Sequence, residues 1–139
     1  MSRIDCGCVC IETGEQQNYQ DGNPLPSLKE VVLKQGKYCL EIDYPLHNPY
    51  KFKFNVNKKG ITRGDFIELV CKHYHKVYDE ENGTSNIKEQ SGIDAGCGPL
   101  LNRITTNGKY GIWGHVIGDL VLVCANVSSK NVITLGVDS

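Results

Sequence analysis

Hydrophobic and polar positions alternate with a period of two in three stretches of this chain. In the first, Ile4, Cys6, Cys8 and Cys10 stand on one side against Asp5, Gly7, Val9 and Ile11, which predicts a strand over residues 4–11. Further on, Tyr38, Leu40, Ile42 and Tyr44 alternate with Cys39, Glu41 and Asp43. After Pro45-Leu46-His47-Asn48-Pro49, Tyr50, Phe52, Phe54 and Val56 then alternate with Lys51, Lys53 and Asn55. Two such runs around a loop containing Pro and Asn predict an antiparallel hairpin, aromatic side inward and lysines in water.

The period changes at Thr62. Phe66, Leu69, Val70, His73, Tyr74, Val77 and Tyr78 fall at i, i+3, i+4, i+7, i+8, i+11 and i+12, which predicts an amphipathic helix over about residues 63–81. Thr62 is placed to cap its first turn, with Asp65 three residues on, and Asn82-Gly83 supplies a left-handed stop.

The remaining segments are read from composition. Residues 12–27 are polar and contain Asp21-Gly22-Asn23-Pro24, a loop signal. Residues 28–34 read as a short strand, 80–98 as a long polar loop, and 100–104 as a helical turn. Asp119 to Val127 is dense in Val and Leu and predicts a buried strand, followed by a turn at 128–131 and a last strand over 132–137. No repeat or linker divides the chain. The expectation is one domain, residues 1–139, of α+β class: a mostly antiparallel sheet covered on one face by one main helix. Two Ala against twelve Val and eleven Ile support the strand-rich reading.

Charge narrows the functional classes. Fifteen basic and sixteen acidic side chains leave a net charge of −1, so nucleic acid held by bulk charge is not expected. Lys51, Lys53, Lys58, Lys59 and Arg63 form the one basic concentration and read as a solvated face. No apolar stretch of signal-peptide length opens the sequence, and Leu120 to Ala125 is far too short to cross a bilayer. A soluble cytoplasmic protein, or one packaged into a virion from the cytosol, is the expectation, with no membrane partner. Seven cysteines, an odd number without a secretory leader, argue for reduced thiols rather than a disulfide framework.

Candidate chemistry concentrates in Tyr110-Gly-Ile-Trp-Gly-His-Val-Ile-Gly-Asp119, which holds the single Trp among three glycines. A binding loop anchored by Trp113, with His115 and Asp119 as polar contacts and Arg103 and Tyr110 as supplements, is one reading. Trp113 as a core plug with the glycines as tight turns is the other. A cysteine nucleophile scheme pairs Cys97, flanked by Gly96 and Gly98, with His115 as base and Asp119 as orienter. Cys6, Cys8 and Cys10 invite zinc, but positions two apart on a flat strand lie about 7 Å apart, too wide without a kink. Small buried hydrophobes are their alternative role. His73 and His75 do not share a helix face, so they make no metal clip.

Gly60-Ile-Thr-Arg-Gly-Asp-Phe66 and Tyr110-Gly-Ile-Trp-Gly-His-Val-Ile-Gly-Asp-Leu120 resemble blocks in small uncharacterised proteins of large DNA viruses and of some plants, fungi and protists. The resemblance implies no established activity and carries no catalytic residue over. The sequence therefore favours a non-enzymatic binding or assembly module without a cofactor, recognising a protein partner or a second copy as a homodimer. The alternatives are a cysteine-dependent hydrolase or redox enzyme using Cys97 and His115, and a zinc-binding structural protein using the N-terminal cysteines.

Overall fold

A computed structural model describes residues 2–17, 24–86 and 105–139. Its elements in chain order are β1 (Ser2–Cys10), β2 (Val31–Leu33), β3 (Gly36–Ile42), β4 (Tyr50–Val56), β5 (Ile61–Thr62), α1 (Arg63–Thr84), a short 3-10 turn at Ile117–Asp119, β6 (Val121–Val127) and β7 (Val132–Asp138). Five strands form one sheet in the order β1-β6-β7-β3-β4, and β2 and β5 make a separate two-stranded ribbon. Every pairing is antiparallel except β3 with β7, which run parallel through Cys39 opposite Val132 and Leu40 opposite Ile133. The fold is α+β, one helix on a mostly antiparallel sheet. Among the described residues no helix is long and apolar enough to cross a membrane.

The β3–β4 hairpin forms as the alternation demands. Leu40 faces Phe52 and Ile42 faces Tyr50 across the pair, all on the core side, while Lys51, Lys53 and Asn55 are exposed. Helix α1 is capped by Thr62, whose hydroxyl accepts the Asp65 N–H at 3.2 Å. It buries Phe66, Val70, Tyr74 and Val77 completely. His73 is a satisfied core histidine: Nδ1 meets the Tyr50 hydroxyl at 2.7 Å and its ring lies 4.0 Å from that of Phe52.

Three local expectations are corrected. First, β1 does not hold its period. Gly7 (φ 75°) and Cys8 (φ 55°) are left-handed, and the register with β6 shifts between Asp5 and Val9. This bulge moves Val9 and Ile11 into the core with Ile4 and Cys6, leaving Cys8 and Cys10 half-buried. Gly7 is required there because a side chain would meet Pro26 at 2.8 Å. Second, Asn82-Gly83 does not stop the helix. It continues to Thr84 and closes with the Ser85 N–H on Glu81 O, because its last turn is tied to the segment after residue 105. The Thr84 hydroxyl accepts from Lys109 N–H at 2.9 Å, and Ser85 Oγ donates to Asn107 at 2.9 Å. Third, Arg63 does not belong to the solvated basic face. It is 7 % exposed, donates to the carbonyls of Asp5 and Ser27, and lies 3.5 Å from Glu30. The helical turn expected at 100–104 and most of the loop expected at 80–98 lie outside the described residues.

Candidate functional site

The segment after residue 105 is positioned by Glu81, in the last turn of α1. Its carboxylate is fully buried and accepts four hydrogen bonds, from Thr106 Oγ1 (2.5 Å), Tyr110 N (2.8 Å), Gly108 N (2.9 Å) and Gly111 N (3.2 Å). Burial pushes its pKa up, but the bonds from Thr106, Tyr110, Gly108 and Gly111 outweigh it and hold the carboxyl below its usual range. The close approach explains Gly108, where a Cβ would lie 2.5 Å from Thr84 Oγ1 and 2.8 Å from the Glu81 carboxylate.

From this anchor the chain runs across the end of the sheet. Gly111 (φ 67°) passes over the His47 ring, where a side chain would crowd at 3.3 Å. Trp113 N–H donates to Pro45 O at 2.9 Å, and Gly114 (φ 64°) turns the chain so that His115 O accepts from the Tyr78 hydroxyl at 3.0 Å. The 3-10 turn Ile117–Asp119 then leads into β6, and the Asp119 carboxylate accepts the Val116 N–H at 3.2 Å.

The result is a polar corner centred on His115. Nε2 is 3.1 Å from the Tyr44 hydroxyl, which is itself 2.7 Å from Ser139 Oγ. On the other side, Nδ1 lies 3.5 Å from Asp119 Oδ2, an ion-pair separation rather than a hydrogen bond, and this buried nitrogen has no hydrogen-bond partner among the described residues. The half-buried Trp113 meets the imidazole edge-on at 5.7 Å between ring centres. A chain of proton-carrying groups, Ser139, Tyr44 and His115, thus runs from an exposed hydroxyl to a half-buried imidazole. Such a chain can relay a proton or reorganise around an incoming donor or acceptor.

Trp113, His115 and Asp119, singled out in the sequence, come together here. Tyr110 does not join them: its ring is 4 % exposed and packs edge-on against Tyr50, and its hydroxyl meets Glu80 at 3.2 Å. Arg103 and Cys97, and with Cys97 its expected pairing with His115, lie outside the described residues. Cys6, Cys8 and Cys10 are split by the bulge, and among the described residues no three His, Cys, Asp or Glu groups are close enough to share a metal. Burial, then the neighbouring Cys124 and Asp5, pushes the Cys6 thiol up to about 12, and burial pushes Cys71 up to about 11. Both are thiols poorly suited to nucleophilic chemistry near neutral pH.

Tyr44, Ser139 and Glu81 are the members that sequence reading missed. Tyr44 looked like the last core position of a strand, and Ser139 reaches it only because β7 and β3 run parallel. No protein-family model matches the chain, nor does any curated protein or solved structure.

Proposed function

We propose that this protein is a non-enzymatic binding module and that the His115 corner is its recognition surface for a protein partner. The observation that carries this reading is the buried Nδ1 of His115, held without a hydrogen-bond partner beside a half-buried Trp113. Leaving such a polar atom unsatisfied costs free energy, and a partner that presses the corner together, so that Nδ1 closes its 3.5 Å gap to Asp119, would recover it. A tryptophan packed beside that polar group is the side-chain type that most often anchors a protein interface. Asp119 and Ser139 supply the polar rim.

The test is affinity capture from the producing cells with the wild-type chain, Trp113→Ala and His115→Ala, each checked for folding by circular dichroism. A protein retained by the wild type and lost from both folded variants supports the reading. Capture unchanged by either substitution places the binding surface elsewhere. Sedimentation of the purified chain identifies a second copy as the partner if the wild type is dimeric and Trp113→Ala monomeric.

A further inference from the structure

The two ends of β3 carry different chemistry. Its C-terminal end leads to Tyr44 and the His115 corner. About 20 Å away along the strand, its N-terminal end opens onto a cavity of about 450 Å³ lined by Lys37 and Cys39 of β3, Lys53 and Asn55 of β4, and Lys130 and Asn131 of the β6–β7 turn. Lys37 pairs with Asn55 and Cys39 with Lys53, so these four side chains share the sheet face that alternates with the core. Tyr38 and Phe54 also border the cavity, but their rings stack on each other at 5.8 Å and pack against the core. We propose that this cavity binds an oligophosphate, either free pyrophosphate or the phosphate chain of a nucleotide.

Three lysines from three separate segments line this space. Among the described residues no acidic side chain lines it, and none of the three lysines has a carboxylate within 4 Å. The chain carries sixteen acidic side chains and a net charge of −1, so a scarcity of carboxylates does not explain the arrangement. Like charges gathered without a counter-charge repel one another, and an anion with several charges removes that repulsion. Lysine serves phosphate as a point charge, and the carboxamides of Asn55 and Asn131 add neutral hydrogen-bonding capacity. A lone carboxylate brings a single negative charge to three lysines; a linked phosphate chain brings several.

The frame is also fixed before a ligand arrives. Asn131 sits at φ 61°, its side-chain amide donates to Lys37 O at 3.1 Å, and its carbonyl accepts the Cys39 N–H at 3.0 Å. Ser128 Oγ accepts the N–H groups of Lys130 and Val132 at 3.2 and 3.0 Å. The backbone that carries Lys130 is therefore tied to the strand that carries Lys37, which lowers the cost of ordering the site on binding. The volume falls within the roughly 300–1,000 Å³ usual for small-molecule sites.

The test is calorimetric titration of the full chain with pyrophosphate and with ATP at physiological salt. Lys53→Gln and Lys130→Gln are compared with Lys29→Gln, which removes the same charge from an exposed position outside the cavity. Each cavity substitution is expected to weaken binding about tenfold or more, and Lys29→Gln to leave it unchanged. Equal affinities for pyrophosphate and ATP assign a free oligophosphate, and a preference for ATP assigns a nucleotide; both support the proposal. Alkylation of Cys39, followed by peptide mass mapping, should slow when pyrophosphate is present. The proposal is overturned by absence of binding at millimolar ligand, by an equal loss in Lys29→Gln, or by alkylation of Cys39 that pyrophosphate does not change. A single-stranded oligonucleotide binding more tightly than ATP through the same lysines would overturn it too, in favour of nucleic acid.

Discussion

Glu81 carries a formal charge into the interior and turns it into a template for a loop. Three backbone N–H groups and one hydroxyl from residues 106–111 point at its two oxygens. Removing the carboxylate would leave those donors buried and unpaired, so Glu81→Ala is expected to cost at least about 3 kcal/mol in urea unfolding. Glu81→Gln, which keeps an acceptor, should cost less. His73 makes a second residue-scale prediction. Burial, with Lys76 and Lys72 nearby, lowers its pKa from 6.5, so as the pH falls through 6.5 the unfolded chain takes up the proton first. Stability should therefore be complete above that pH and decline below it, and His73→Gln should flatten the decline between pH 7.5 and 5.5. The depressed carboxyl of Glu81 acts in a lower window, losing its contribution only as the pH drops below 4.5. His73 was legible from its place on the apolar stripe, but Glu81 was not, because it follows that stripe like any polar helix end and its donors lie about 25 residues away. His115 and Asp119 were legible because four positions apart in one short segment is a local relation.

At the scale of elements, periodicity was a reliable guide where one face packs and the other is wet. It found α1 and the β3–β4 hairpin with their faces correctly assigned, and Phe66→Ala is accordingly expected to cost about 3–5 kcal/mol in thermal or urea unfolding. A loss below about 1 kcal/mol would mean that α1 packs through other side chains. The same logic failed in β1, where cysteine and valine are both acceptable core residues and so conceal a slipped period. Only Gly7 hinted at the bulge. The helix end was misplaced for a different reason: Gly83 favours termination locally, but the bonds that the Lys109 and Asn107 N–H groups donate to the Thr84 and Ser85 hydroxyls prolong the last turn.

For the molecule as a whole, class was readable from the mixture of one helical and several strand patterns, but strand order was not. The parallel seam between β3 and β7 and the pairing of β1 with β6 join residues about a hundred positions apart, and no local pattern encodes them. That long-range arrangement places the His115 corner and the lysine-lined cavity at opposite ends of one strand, and it orders events during synthesis. β1 leaves the ribosome long before its partner β6, since Ser2 pairs with Val127 and Cys10 with Val121. At cellular translation rates of about 5–20 residues per second, β1 waits on the order of ten seconds with no sheet to join. Throughout that interval Cys6, later sealed in the core, is open to oxidants and to other nascent chains. The finished protein shelters this thiol well, and its vulnerable moment comes before the fold exists.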